Sequence, residues 1–194
     1  MLEREQPLRV YGPPGLRSMT DHILAAYGED IRERAQGLEP ANRTGYEAIP
    51  TEIEPGVVFE GVDLRVEAFP ANHGSWTAFS YKFGTPGGTI VISGDTAPYD
   101  GIAENYAGCD ILVHEVYSWA GFQRLPEAWQ RYHAHVHTST RDLAAIAARA
   151  RPGLLMLYHQ LLWGQSERSL VREIEASYPG PVVSGRDLDV FAPG

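Results

Sequence analysis

The sequence has little cysteine, no excess of basic residues and no long apolar run, and each shortage excludes a class of protein. A single cysteine, Cys109, cannot form an internal disulfide, so a disulfide-stapled secreted scaffold is excluded and a reducing, cytoplasmic compartment is expected. With 16 basic against 25 acidic residues the formal charge is −9, which argues against a large nucleic-acid footprint. No stretch approaches the ~18 apolar residues of a membrane span, and the first residues lack the basic-then-apolar order of a secretory signal.

What is present is the composition of an ordinary globular protein. The 194 residues are 43% hydrophobic and 21% charged, which predicts one well-formed core and a single domain over residues 1–194. Strand pairs joined by tight turns come first along the chain, and strands alternating with helices come later. This order predicts an α/β fold in layers.

Four apolar runs lead into residues that can bind metal ions or move protons. The runs and these residues are 62–69 with His73, 89–92 with Asp95, 111–113 with His114 and Glu115, and 154–158 with His159. A polar side chain at the carboxyl end of a buried strand is held rigidly and still reaches a ligand. Histidine and carboxylate in such positions indicate a metal site or acid/base chemistry.

Further patterns predict the remaining elements of secondary structure. They are a strand over 8–11, a helix over 16–36, a loop over 40–55, a hairpin over 57–69, a second hairpin over 78–92, helices over 99–106, 141–151 and 167–178, and strands over 181–183 and 188–191. Ser139 or Thr140 is the expected N-cap of the helix over 141–151.

As a set, these motifs resemble the metallo-β-lactamase superfamily, and within it the ribonuclease Z-like branch. The segments that carry the resemblance keep the family's order over nearly the whole chain: residues 11–15, 72–74, the strand around Tyr81, 93–96, 111–115, 137–140 and 155–159. The resemblance implies a metallo-β-lactamase-type αββα sandwich. It also implies a hydrolase that uses zinc-activated water on a phosphodiester or related ester, with two zinc ions in the complete family site.

The resemblance assigns three residues of this chain to metal binding. His73 matches the residue that binds the first ion, Asp95 the residue that bridges the two ions, and His159 the residue that binds the second. A carboxylate suits the bridging position because its two oxygens can bind one ion each, and imidazole suits zinc.

The resemblance assigns three more residues to catalysis. His137 matches a histidine that stabilises the scissile phosphate or protonates the leaving oxygen. His114 and Glu115 match a supporting pair close to the site, which orients ligands and relays protons.

The family's signature H-x-H-x-D-H does not occur in this sequence, where the resemblance implies it upstream of Tyr11. The chain is therefore expected to be an N-terminally incomplete sandwich that carries part of the two-zinc site. An exposed sheet edge would promote self-association, and a homodimer is compatible with this. His133 and His135 alternate with His137 as residues on one face of a strand would, but no Asp-His pair follows them. They are expected to be loop or surface residues.

The expected substrate is a small ester. Ribonuclease Z proteins that process tRNA carry a basic arm between the positions that match His73 and Asp95, and here a short turn, residues 85–88, takes its place. Together with the acidic net charge, this favours a small phosphodiester or sulfate ester and disfavours RNA, which stays open.

Two other hypotheses stay open. The chain could be a truncated, catalytically incompetent domain that acts as a binding module or is a gene fragment. It could also be an α/β cofactor-binding domain in which residues 12–15 form a phosphate loop, although that turn lacks the G-x-G-x-x-G and lysine-bearing patterns. Zinc content with hydrolytic activity tests the first hypothesis, and nucleotide titration tests the second.

Overall fold

The computed structural model describes residues 4–38 and 42–193. Its elements in chain order are β1 (Leu8–Gly12), α1 (Leu16–Ala26), α2 (Gly28–Gln36), β2 (Ala48–Glu52), β3 (Gly56–Glu60), β4 (Arg65–His73), β5 (Trp76–Thr85), β6 (Gly88–Ile92), α3 (Ile102–Tyr106), β7 (Ile111–Tyr117), α4 (Trp119–Phe122), α5 (Glu127–Val136), α6 (Thr140–Ala150), β8 (Leu154–Leu161), α7 (Glu167–Glu175) and β9 (Val182–Ser184). The chain divides into two compact units, one up to Glu54 and one from Pro55 onward. The single domain over 1–194 stays a prediction.

The N-terminal unit contains a two-stranded parallel sheet of β1 and β2, connected through α1 and α2. The helix predicted over 16–36 is two helices, because the backbone leaves helical geometry at Tyr27 (φ −94°, ψ 12°) and Gly28 follows. The loop predicted over 40–55 contains β2, whose Pro50 is tolerated because each strand of a two-stranded sheet has a free edge. Residues 40 and 41 of that prediction lie outside the described residues.

The larger unit is built on a seven-stranded mixed sheet in the order β3-β4-β5-β6-β7-β8-β9. The pairs from β3 to β6 are antiparallel, and those from β6 to β9 are parallel. As a result β4, β6, β7 and β8 all run in the same direction, and their carboxyl ends meet at one edge of the sheet. Together with the helices that follow the parallel strands, this confirms the predicted α/β class.

One face of this sheet packs against α3, α6 and α7. Alternate residues of the central strands point to these helices, as the two-residue period of a strand requires. The buried sheet residues are Val91, Leu112, Val116, Leu155 and Leu157, and the helices contribute Ile102, Tyr106, Leu143, Leu170 and Ile174 among others. Each fully buried leucine stabilises the fold by roughly 1.5–3 kcal/mol, so this core fixes the strands that carry the candidate site.

Several sequence predictions can be compared with these elements. The hairpin of β5 and β6 is closed by residues 86 and 87 alone, so the predicted absence of an arm at this point is confirmed. The Ser139 side chain caps α6 by accepting a hydrogen bond from the backbone N–H of Asp142, as predicted. The strand predicted over 188–191 was wrong. Leu188 has a left-handed backbone (φ 70°) and is almost fully exposed, so no ladder forms there.

Among the helices within residues 4–38 and 42–193, none combines the length and apolar character that crossing a bilayer requires.

Candidate metal centre

The parallel strands of the larger unit bring four potential ligands to one edge of the sheet. His73 ends β4, Asp95 follows β6, Glu115 lies near the end of β7, and His159 lies near the end of β8. A fifth, His137, directly follows α5. Two sets of ligand atoms each lie within 4.8 Å of one another: those of His73, Asp95 and His137, and those of Glu115, His137 and His159.

These sets contain every residue predicted from the sequence as a metal ligand. They differ from the prediction at His137 and Glu115, which the resemblance assigns to catalysis. His137 belongs to both sets and Glu115 to the second, so both lie where a ligand or a proton carrier could act. The roles of these residues stay predictions, but the structure brings their side chains together.

Asp95 is fixed by backbone hydrogen bonds on both sides of it. The N–H of Ser93 donates to the carbonyl of Val113 at 2.9 Å, and the N–H of Ala97 donates to the carbonyl of Asn72 at 2.7 Å. Between these anchors Gly94 turns the chain with φ 62°, a left-handed conformation that glycine adopts without steric penalty. The carboxylate of Asp95 therefore leaves the sheet edge in a defined direction.

His159 reaches the centre through a β-bulge. In the pairing of β7 with β8, Glu115 faces Tyr158 and Val116 faces Gln160, so His159 is the extra, unpaired residue. Its backbone is left-handed (φ 43°), which is uncommon for a residue with a side chain. A bulge redirects a side chain, and here the Nδ1 atom of His159 lies 3.3 Å from an oxygen of Asp95.

The orientation of His73 leaves one ring nitrogen available for a ligand. Its Nδ1 atom lies 3.0 Å from the backbone carbonyl of Val136. A carbonyl can only accept, so Nδ1 carries the proton and the lone pair is on Nε2. A hydrogen bond of this kind from the second nitrogen is the usual support of a metal-binding histidine.

Glu115 lies fully buried at the base of the centre. Its Oε1 atom accepts hydrogen bonds from the backbone N–H groups of Thr138 (2.8 Å) and Thr96 (3.2 Å). The hydroxyl of Thr138 in turn donates to the carbonyl of Thr96 at 2.6 Å. These bonds tie the segment after α5 to the segment after β6, so His137 is positioned next to Asp95 through the carboxylate of Glu115.

The centre contains buried polar atoms that have no hydrogen-bond partner within the described part of the chain. They are Nδ1 of His137 and Oε2 of Glu115. Nδ1 of His137 lies 3.5 Å from Oε1 of Glu115, which is too long for a hydrogen bond. Buried polar atoms normally have partners, so imidazole nitrogen and carboxylate oxygen left open in one cluster fit a divalent cation.

Exposure changes across the centre from closed to open. The side chains of Glu115 and His137 are 0% and 7% exposed, whereas those of Asp95 and His159 are 36% and 41% exposed. Burial raises the pKa of the neighbouring Tyr158 hydroxyl, and the charges of Asp95 and Glu115 add to this effect against a hydrogen bond with Ser93. The bottom of the centre is therefore buried and carries the Glu115 carboxylate, and the side with Asp95 and His159 is open to a solute.

His114 lies outside the cluster. It is fully buried, its ring contacts Tyr106 of α3 at 5.7 Å between centroids, and its Nδ1 atom lies 2.6 Å from the carbonyl of Glu115. Burial lowers the pKa of His114, opposed by the charge of Glu115. A neutral His114 beside the backbone of Glu115 fits the predicted supporting role, which stays a prediction. Contact with a substrate is excluded by its burial.

His133 and His135, expected to be loop or surface residues, both lie on the helix α5. His135 is exposed, as predicted, but the ring of His133 is half-buried and stacks on the ring of His137 with centroids 5.6 Å apart. Burial and then the neighbouring His137 lower the pKa of His133. The i, i+4 spacing of these two histidines, read as helical, would have identified the contact from the sequence.

Three comparisons with known proteins describe the relationships of the chain. Residues 2–160 match the β-lactamase superfamily domain. The ribonuclease Z of Mycobacterium bovis (strain BCG / Pasteur 1173P2) is 30% identical over 186 residues, covering 94% of this chain and 66% of that protein. The chain thus spans slightly less than two thirds of the length of this relative.

Solved structures share the fold at low sequence identity. The metallo-β-lactamase fold protein YhfI from Bacillus subtilis superposes with a TM-score of 0.67 at 15% identity, over 94% of this chain and 62% of that one. Human tRNase Z, short form, superposes with a TM-score of 0.65 at 19% identity, over 97% of this chain and 69% of that one. These similarities confirm the predicted metallo-β-lactamase fold.

Proposed function

The chain belongs to the β-lactamase superfamily, and on this premise we propose that it is a zinc-dependent hydrolase of a phosphodiester or related ester. The observation that supports the proposal is the convergence of Asp95, Glu115 and three histidines at one sheet edge, with buried ligand atoms left open. The names of the ribonuclease Z relatives agree with hydrolysis of a phosphodiester.

We assign the residues as follows. His73, Asp95 and His159 hold the metal, because each combines an available nitrogen or oxygen with a backbone that is fixed at the sheet edge. A zinc ion bound there would acidify a coordinated water and draw charge from the ester oxygens.

His137 and Glu115 handle the proton. Oε1 of Glu115 lies 3.5 Å from Nδ1 of His137, so this carboxylate lies beside the imidazole that, in our proposal, transfers a proton to the leaving oxygen. The backbone N–H groups of Thr96 and Thr138 donate to this carboxylate and keep it in place. His114 holds the backbone of Glu115 from the core side.

The substrate we favour is a small phosphodiester. The formal charge of −9 and the tight β5–β6 hairpin give little support to a long RNA contact, whereas the relatives that carry the name ribonuclease Z make RNA the main alternative. The single cysteine supports a cytoplasmic location. Assembly as a homodimer stays a prediction.

The test is metal content and hydrolysis of bis(p-nitrophenyl) phosphate by the full chain. We expect Asp95→Asn and His159→Ala to lose zinc, measured by mass spectrometry, and to lose at least about 100-fold in turnover. His22→Ala is the matched control, because it removes an exposed histidine from the N-terminal unit and should change neither quantity.

His137→Ala separates two roles in the same assay. Retained zinc with lost turnover supports proton donation, and lost zinc makes His137 a ligand. A parent chain that binds zinc tightly without any hydrolysis would instead support the binding-module hypothesis. Unchanged zinc in both Asp95→Asn and His159→Ala would refute the proposed centre.

A further inference from the structure

A continuous series of ring contacts passes through the candidate metal centre and ends in an exposed tryptophan on each side. Trp76 contacts His73 (6.1 Å between ring centroids), His73 contacts His137 (5.5 Å), His137 contacts His133 (5.6 Å), and His133 contacts Trp129 (5.8 Å). We call these five residues the aromatic series. None of its three outer members, Trp76, His133 and Trp129, has a part in the chemistry proposed above.

The helix α5 builds one half of the series by its spacing. Trp129, His133 and His137 are four residues apart, so they follow one side of the helix with a rise of roughly 6 Å per step. The rings of Trp129 and His133 are tilted by 26° and those of His133 and His137 by 29°, which makes both contacts stacked. Two stacked ring contacts therefore connect the exposed Trp129 to His137 at the centre.

The structure holds this half of the series in place. Trp163 packs on His133 with ring centroids 4.6 Å apart, and its backbone is left-handed (φ 43°). Such a conformation in a residue with a side chain persists only where the surroundings impose it, and it is concentrated at ligand sites. The neighbouring ring of Tyr117 also contacts Trp163, at 5.6 Å.

The ends of the series are open to solvent. Trp76 is 76% exposed and Trp129 is 56% exposed, and Tyr132 beside Trp129 is 50% exposed. The two tryptophans of the series border a cluster of potential metal ligands, so their exposed rings lie beside the candidate site. Trp76 lies one ring contact from His73 and Trp129 lies two ring contacts from His137, so the centre has an exposed tryptophan on either side.

We infer that Trp76 and Trp129 are specificity-determining residues that stack on planar rings attached to the substrate phosphate, with a nucleobase as the occupant. The inference rests on the proposed function, since the phosphate must lie at the metal centre. A phosphodiester has a substituent on each of two oxygens, which matches a centre with a tryptophan at each end of the series. Stacking also suits a protein with an acidic total charge, because it needs no basic groove.

Binding of short oligonucleotides to the full chain tests the inference. The probes are fluorescein-labelled hexadeoxyadenylate and an abasic hexamer of the same length and charge, followed by fluorescence anisotropy, with probe integrity checked by electrophoresis. We expect hexadeoxyadenylate to bind and the abasic hexamer to bind at least about tenfold more weakly, because stacking contributes roughly 5- to 150-fold in affinity per base.

Variants assign the effect to the two tryptophans. Trp129→Leu and Trp76→Leu should each weaken hexadeoxyadenylate binding by at least about fivefold, and Trp129→Tyr should retain most of it, because a ring is restored. Tyr27→Leu removes an equally exposed aromatic ring from the N-terminal unit and should have no effect. The affinity should depend weakly on salt, with a logarithmic slope no steeper than about −1.4, which corresponds to two phosphates on a single strand.

Three outcomes would overturn the inference: equal binding of both hexamers, unchanged binding in both leucine variants, or a steep salt dependence. Sedimentation velocity adds a fourth such outcome. If the protein is a dimer that dissociates in Trp76→Leu or Trp129→Leu, and the oligonucleotide does not bind, the rings form a contact between two copies of the chain. Different results would refute the proposed function and the stacking inference. Base-dependent binding without hydrolysis of bis(p-nitrophenyl) phosphate would refute the hydrolase and keep the stacking, and hydrolysis without base preference would do the reverse.

Discussion

Replacing Glu115 tests how the candidate centre is held together. Glu115 is fully buried, and its Oε1 atom accepts hydrogen bonds from the backbone N–H groups of Thr96 and Thr138, both of which are also fully buried. Glu115→Ala leaves both N–H groups without an acceptor. A buried donor that loses its partner costs about 1–3 kcal/mol, so the free energy of unfolding should fall by about 2–6 kcal/mol.

Glu115→Gln separates the hydrogen bonds from the charge. The amide oxygen of glutamine can still accept from Thr96 and Thr138, so most of the hydrogen bonding is kept. Hydrogen bonds to a neutral acceptor are weaker, but a neutral side chain is also easier to bury, and the net loss should stay below about 2 kcal/mol. Turnover should nevertheless fall by about 10²- to 10⁴-fold with zinc retained, because the proposed proton transfer by His137 loses its neighbouring carboxylate.

Urea unfolding followed by circular dichroism measures the stability, with zinc content and hydrolysis measured on the same samples. Glu104→Ala is the control, because this exposed carboxylate pairs only with the exposed Arg149 among the described residues and its loss should leave the unfolding midpoint unchanged. The reasoning would be refuted if Glu115→Ala and Glu115→Gln lowered stability equally, or if Glu115→Ala cost less than about 1 kcal/mol.

Three further predictions concern other parts of the larger unit. Burial holds the pKa of His114 below its unfolded value of about 6.5, so the unfolded chain binds more protons, and the free energy of unfolding should fall as pH drops below about 6.5, by up to about 1.4 kcal/mol per pH unit. In metal-free protein, His114→Gln should flatten this fall between pH 6.5 and 5. An unchanged slope in urea melts would contradict the prediction. Ser139→Ala removes the cap of α6 and should cost about 1 kcal/mol in the same melts, while Ser139→Thr, which keeps a capping hydroxyl, should cost less. Gly94→Ala forces a left-handed φ on alanine and puts its Cβ 3.1 Å from the carbonyl oxygen of Phe79. It should therefore lower the free energy of unfolding by about 1–3 kcal/mol and reduce zinc content by displacing Asp95. Normal zinc content in a folded Gly94→Ala variant would argue against a fixed carboxylate.

The sequence predicted the parts of the site that depend on strand ends. Asp95 and His159 follow apolar runs that could be recognised by composition alone, and parallel strands bring such ends together. The bulge at His159 could not be predicted, because an extra residue in one strand is visible only against its partner β7. Sequence reasoning also missed the backbone N–H groups of Thr96 and Thr138, since every residue carries such a donor and only the fold selects two of them.

The segment around His133 shows how a misleading period arises. Histidines at alternate positions fit a strand face, but the segment is the helix α5, which begins after Pro126 with Glu127 in its first turn. Proline and an acidic residue at a helix start are the signals that should have decided the case. Once the helix is recognised, the four-residue spacing of Trp129, His133 and His137 predicts the aromatic series directly.

Because β4, β6, β7 and β8 run in the same direction, the proposed ligands at their ends meet only in the folded chain, and this affects the lifetime of the protein in the cell. The proposed zinc ligands His73 and His159 are far apart along the chain, so the unfolded protein offers no assembled site, and zinc held by them would bind the folded state alone. At a free zinc concentration 100 times the dissociation constant, the folded state gains about 2.7 kcal/mol. Zinc-starved cells would then hold a larger unfolded fraction, which proteases degrade, so the abundance of this protein should follow zinc supply.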